Sequence, residues 1–228
     1  TEVERPRIAY MSSIPLAFGE ADMAATVQGE GSADPFFVRL NERYRMEAID
    51  DLEKLNDVRP DALLLVQPRA LGAHENVALD RWVRAGGEML MLADPALTRE
   101  SRYPLGDKRR PLFTSMASPL LAHWGLELVL PMDEATARVE RSVDGDDFET
   151  RAPGAFRKLA GKGGAVRCGI TDDGFVARCV IGEGVAILIA DADLIDPAIW
   201  QESGMFGAHD EGVELVEAYL AELAGGRR

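Results

Sequence analysis

The chain has 228 residues, 46% of them hydrophobic and 28% charged, proportions usual for a globular protein able to bury a sizeable core. Its 39 acidic and 25 basic residues give a net charge of −14, which disfavours nucleic acid as a partner because phosphate contacts need clustered Lys and Arg. No apolar run approaches the roughly 20 residues that span a bilayer, and no signal peptide is visible.

Arg7-Ile8-Ala9-Tyr10-Met11 reads as an opening strand. Ser12 to Ala33, rich in Gly, Ser and Glu, reads as a long exposed loop. Asp34-Pro35 has the form of a helix N-cap with proline at the first helical position, and Phe37, Leu40 and Tyr44 follow at helical spacing. Arg45 to Ile49 alternates polar and apolar residues, as a half-exposed strand near a sheet edge does. Pro60 to Pro95 then carries a strand–helix–strand unit with marked boundaries. Ala62 to Val66 is an unbroken apolar run, as expected for a strand covered on both faces, and Pro68 ends it. Val77, Leu79, Trp82 and Val83 suit one face of a helix from His74 to Ala85, stopped by Gly86-Gly87. Met89 to Ala93 is the second strand, closed by Asp94-Pro95. Two such strands joined by a crossover helix form a parallel, right-handed unit.

Thr98 to Pro111 is a polar loop holding the short basic cluster Lys108-Arg109-Arg110, read as solvated. A short helix starts at Ser118-Pro119 and ends at Gly125, and Leu126 to Leu130 is the next strand. From about Ala135 the pattern turns to short β segments. Ala165 to Ile170 and Phe175 to Ile181 flank Asp173-Gly174, a signal for a two-residue type I′ hairpin. Val185 to Ala190 is the most buried-looking strand of this half, closed by Asp191-Ala192-Asp193, and Gly212 to Leu223 forms the last helix. The order implies one doubly wound α/β domain over residues 1–228, with a β-rich excursion at 135–181 before its last strand.

Ligands of such sheets bind beyond the carboxyl ends of the strands, which places a candidate site at Ser12, Ser13, Gln67, Arg69, Asp94 and Asp191. No G-x-[CS]-x-G nucleophile elbow is present, so no catalytic residue is assigned. His74, His123 and His209 are isolated in sequence. Asp191 and Asp193 could hold a hard cation, but carboxylates so placed usually cap a loop, and no metal or cofactor is assigned. Gly161-Lys162-Gly163-Gly164 lacks phosphate-loop spacing. The hairpin pairs Cys168 with Cys179, close enough for a disulfide; the alternative is two small apolar residues on one strand face. A bridge would point to an oxidising compartment. Trp82 reads as core, and Trp200 as the tryptophan best placed for exposure.

These segments resemble the auxiliary domain of ABC-type uncharacterized transport systems, which gliding-motility auxiliary components also carry and to which a domain of intraflagellar transport proteins is related. The family's strand D-x-L-h-h-x-x-P (h, apolar), helix ALD-x-[WFY]-V-x-x-GG and strand ending near DP correspond to Asp61–Pro68, Ala78–Gly87 and Met89–Pro95. GEGVAILIADADLI is similar to its G-x-G-[RK]-h-h-h-h-x-D-x-[DS]-F strand, with Val185 and Leu194 departing where a basic residue and Phe are expected. The resemblance implies a mostly parallel, flavodoxin-like sheet of the class I glutamine amidotransferase-like type, without the catalytic cysteine. It also implies a non-catalytic binding or scaffolding domain on the periplasmic or extracytoplasmic face. Such a domain works beside ABC transporter membrane and ATPase subunits, tethered by membrane segments absent from this chain. The first residue, Thr1, and the final Gly225-Gly226-Arg227-Arg228 fit an excised piece of a longer protein. The alternative function is a hydrolase or amidotransferase relative whose displaced site uses Asp94, Asp191 and the loop after Tyr10. A sugar- or peptide-binding receptor would instead need tryptophans lining an open cleft.

Overall fold

The computed structural model describes residues 5–20, 32–130, 138–161, 165–201 and 210–226. Its main sheet has seven strands. Five run parallel: β1 (Arg7–Ser12), β2 (Arg45–Ala48), β3 (Ala62–Val66), β4 (Glu88–Leu92) and, from the far end of the chain, β11 (Gly184–Ile189). The order is β2-β1-β3-β4-β11, extended by β10 (Val176–Ile181), antiparallel to β11, and by β9 (Arg167–Ile170), antiparallel to β10. All five residues of β3 are buried. Because alternate side chains point to opposite faces, Ala62, Leu64 and Val66 join one core and Leu63 and Leu65 the other. The first core is closed by α1 (Pro35–Arg43) and α6 (Glu211–Gly225), through Phe36, Leu40, Val213, Val216 and Leu220. The second is closed by short α2 (Leu55–Val58), by α3 (Ala73–Arg84) and by α4 (Ser118–His123), through Leu55, Leu79, Trp82, Val83, Leu120 and Leu121.

Local chemistry sets the element ends. Asp34 caps α1, its Oδ1 accepting from Phe36 N at 2.9 Å ahead of Pro35. After α3, Gly86 takes φ +101°, and a Cβ on Gly87 would fall 2.3 Å from the Trp82 ring. The Gly-Gly pair therefore stops the helix and also lets Trp82 lie flat on the turn. That packing keeps Trp82 in the core, as its spacing predicts.

Several expectations are revised or refined; Val77, expected on the packed face of α3, is 56% exposed. The strand at Leu126, β5 (Leu126–Val129), lies outside the main sheet and pairs with β8 (Ala155–Lys158). The slot beside β4 needs residues apolar on both faces. Ala186 to Ile189 satisfy that with zero exposure, whereas β5 carries exposed Glu127. The excursion at 135–181 is divided among three sheets: β6 (Arg138–Val143) and β7 (Asp146–Arg151) form a hairpin of their own, β8 joins β5, and β9 and β10 extend the main sheet. The loop after β1 is not wholly exposed, since Ile14 and Leu16 enter the core. Trp200 is buried in α5 (Pro197–Trp200); its Nε1 donates to Ile195 O at 3.1 Å, and the Arg39 guanidinium sits 5.8 Å from the ring centroid. Burial of the large apolar ring outweighs the polar character of its sequence neighbours.

The β9–β10 hairpin keeps the expected register, Cys168 opposite Cys179, and the two cysteines form a disulfide with Cα atoms 4.0 Å apart. That separation suits the narrower, non-hydrogen-bonded kind of pair. The turn itself is longer than two residues: Thr171 N bonds Val176 O at 2.9 Å around Asp172 to Phe175. Gly174 has φ +79° but Asp173 is not in the left-handed region that a type I′ turn requires. Its carboxylate instead accepts from Phe175 N at 3.0 Å and the Thr171 hydroxyl at 2.7 Å.

One ion network binds the helices of the first face. Arg39 on α1 donates through Nε and Nη2 to the Glu217 carboxylate on α6, at 2.8 and 2.9 Å, and through Nη1 to Asp210 at 2.6 Å. The Glu217 side chain is 3% exposed, so removing its main partner leaves a buried charge with only Arg43 nearby, at 3.2 Å. Arg39→Ala is expected to lower stability by about 2 kcal/mol, a value discounted for the partial exposure of Arg39. Urea denaturation followed by far-UV circular dichroism measures this, and an unchanged midpoint would refute it. Among the described residues no helix is long and apolar enough to cross a membrane.

Candidate functional site

The carboxyl ends of β1, β3, β4 and β11 converge, and what they hold is a closed hydrogen-bond lattice. Gln67 ends β3 in the left-handed region (φ +43°), a conformation uncommon for a residue with a side chain. This directs its amide across to β4. Gln67 Oε1 accepts from Asp94 N, and Nε2 donates to Asp94 O and Leu112 O, all at 2.9 Å. Ser13 N donates to Gln67 O, and its hydroxyl accepts from Leu112 N at 3.3 Å. Ser12 turns its hydroxyl onto the backbone of Ile14.

Three carboxylates lie beneath. Asp94 accepts from Ala96 N at 2.7 Å and from Ala192 N at 3.0 Å, joining β4 to the turn after β11. Asp191 accepts from Asp193 N at 2.5 Å, from Leu194 N at 3.1 Å and from the Thr150 hydroxyl of β7. Asp193 accepts from Thr98 N at 2.8 Å and Arg99 N at 3.1 Å. None of the three carboxylates reaches solvent. Burial, and then the charge of Asp193, pushes Asp94 up to about 7. Burial and the charges of Asp94 and Asp193 raise Asp191 well above the usual carboxylate range, and burial also raises Asp193. Three like charges in one dry space disfavour ionisation, and the backbone N–H groups offset part of that cost.

Of the six candidate residues, then, Ser13, Gln67, Asp94 and Asp191 are drawn into this lattice. Ser12 caps its own turn. Arg69 faces away, gripping Glu75 at 2.7 and 2.8 Å and Asp50 O, and its guanidinium holds Glu75 down to about 2. Thr150 and Arg99 lie far from Asp191 and Asp193 in sequence, and no local pattern marks them. A cavity of about 200 Å³ lies nearby, bounded by Glu20, Asp34, Arg99 and Glu100, with the Arg99–Asp34 ion pair at 2.5 Å; Asp94, Asp191 and Asp193 do not line it. Among the described residues no cluster of His, Cys, Asp and Glu has a geometry that would hold a metal ion. His209 and residues 162–164 lie outside the described residues. Chemically, these hydrogen bonds tie the loops at the strand ends to one another.

A family model described as ABC-type uncharacterized transport system matches residues 5–148, more than half of the chain. No curated protein matches the sequence. Among solved structures, the mmIFT52 N-terminal domain is similar at 12% identity, with 97% of this chain and 99% of that one covered and a TM-score of 0.56. The GH42 β-galactosidase Gan42B, whose catalytic mutant is described as from G. stearothermophilus, is similar at 14% identity over 96% of this chain and 30% of that one, TM-score 0.53. A β-galactosidase from Rahnella sp. R3 is similar at 11% identity, over 96% and 31%, TM-score 0.52. This chain thus corresponds to about a third of each β-galactosidase, and these likenesses concern the fold.

Proposed function

The chain belongs to the ABC-type uncharacterized transport system family, and from that premise we propose that it is a non-catalytic binding or scaffolding domain of a transporter's auxiliary protein. The domain sits on the periplasmic or extracytoplasmic face of the membrane and works beside the transporter's membrane and ATPase subunits. One observation carries the non-catalytic part: the carboxylates at the strand ends are consumed by backbone N–H groups. An α/β enzyme would direct such groups into a crevice at this position. We read residues 1–228 as one domain of the flavodoxin-like, amidotransferase-like kind, because the five parallel strands follow the flavodoxin order, with β11 as the fifth. The hydrolase alternative needs Asp94 and Asp191 to meet Ser12 or Ser13 in a cleft. Both serines instead bond to loop backbone, and both carboxylates are buried.

The Cys168–Cys179 disulfide favours an oxidising compartment. Two measurements test the proposal. Affinity purification of the tagged full-length protein from detergent-solubilised membranes is expected to bring down the permease and ATPase subunits of one ABC transporter in fixed proportion. Absence of both under cross-linking conditions would overturn the partnership. Acid-quenched cells labelled with a maleimide reagent are expected to show both cysteines protected. Labelling of both cysteines in such quenched cells would overturn the extracytoplasmic placement.

A further inference from the structure

We propose that the cavity between the end of β8 and the start of β9 binds a small organic carboxylate, with Lys158 and Arg167 as its anion-recognising pair. The cavity measures about 300 Å³. Trp124 and Leu126, each 1% exposed, form its inner wall, and the indole Nε1 donates to Asp80 Oδ1 at 2.8 Å. That carboxylate is itself engaged by Arg84 at 2.8 Å. Lys158 and Arg167 line the cavity, both exposed, and no Asp or Glu does. Neither cation has an ion pair or hydrogen bond among the described residues.

This is unusual in a chain of net charge −14. Two other cavities each carry carboxylates, Glu20, Asp34 and Glu100 in one and Asp80 in the other. An anion is attracted here and repelled there. The backbone anchors each cation separately. Lys158 pairs with Leu126 across β5–β8, Leu159 N bonds Gly125 O at 2.8 Å, and Arg167 precedes the disulfide that anchors β9 to β10. The register places the site at the amino ends of the parallel strands, since Arg167 pairs with Val180, Val180 with Val185 and Val185 with Glu88, the first residue of β4. It therefore lies at the opposite end of the sheet from the carboxyl-end lattice. Two unpaired cations beside the wall of Trp124 and Leu126 fit a ligand carrying one carboxylate on a small organic body.

The probe is 4-fluorophenylacetate, followed by fluorine NMR and compared with its neutral amide. The expected result is carboxylate binding with a Kd below ~1 mM, weakened about tenfold or more in K158Q/R167Q while the thermal melt stays in place. On the unmodified protein, affinity for the carboxylate should fall as salt rises, through screening of the cation pair. Absence of binding, equal binding of the amide, or affinity indifferent both to salt and to K158Q/R167Q would each overturn the proposal.

Discussion

Gly184→Ala is expected to lower the melting temperature by about 10 °C, corresponding to a loss of about 3 kcal/mol in a protein of this size. Gly184 opens β11, where the strand enters the sheet beside β4 under the end of α3. A Cβ there would lie 2.1 Å from Val83 O and 2.3 Å from Gly87 O. Both obstacles are backbone carbonyls, so no rotamer change relieves them. Either α3 lifts off the sheet, opening the core under Val83 and Trp82, or β11 shifts from β4 and loses ladder bonds. Its neighbour Gly182 is similarly confined, with φ +62° and a virtual Cβ 2.5 Å from Arg84 O. Gly169 on β9 has open space around it, so Gly169→Ala is expected to be neutral or slightly stabilising, since glycine weakens a strand by roughly 0.5–1 kcal/mol. Thermal melts of the two variants make the comparison, and equal behaviour would refute the packing argument.

That glycine also shows what the sequence makes legible. Gly182-Glu183-Gly184 reads as a turn before a buried strand, and it is one, yet its closest contact is with a helix a hundred residues earlier. Local patterns give the elements because they follow from residues next to one another. The apolar run Ala62–Val66, the Asp34-Pro35 cap and the register of the cysteine hairpin all have this origin. Where a strand goes is decided by competition between distant segments. The place beside β4 goes to β11 because Ala186 to Ile189 can be covered on both faces and β5 cannot. The candidate site divides the same way. Strand-end geometry locates Gln67, Asp94 and Asp191, but it does not tell whether a carboxylate faces a crevice or a backbone amide. Thr150 and the amides of Thr98 and Arg99 decide that, and they arrive from other parts of the chain.

Folding stability is expected to fall as pH rises from 5 to 8, and Asp94→Asn is expected to cost more at pH 5 than at pH 8. In the native state Asp94 is pushed up to about 7 and Asp191 and Asp193 are also raised, whereas in the unfolded chain each titrates near the ordinary value of about 3.9. Between those limits the native state binds more protons than the unfolded state, so the stabilisation is complete below the unfolded value and is lost as pH passes through the native one. The slope approaches about 1.4 kcal/mol per pH unit for each group that remains protonated. Carboxylates whose native values are lowered, Glu75 and Glu222 among them, act in the opposite sense, but their windows lie below about pH 4.5 and leave the range above pH 5 to the buried cluster. In Asp94→Asn the amide keeps one acceptor for Ala96 N or Ala192 N and turns its NH₂ toward the other, at a cost of about 1–3 kcal/mol. It also removes the charge that Asp94 would acquire at high pH, which relieves Asp191, so its stability depends less on pH. Urea unfolding of both proteins at pH 5, 6.5 and 8 gives the comparison. A wild-type midpoint that rises across this range, or a variant that parallels it, would show that the three carboxylates ionise without cost and that the lattice is more open to water than its hydrogen bonds imply.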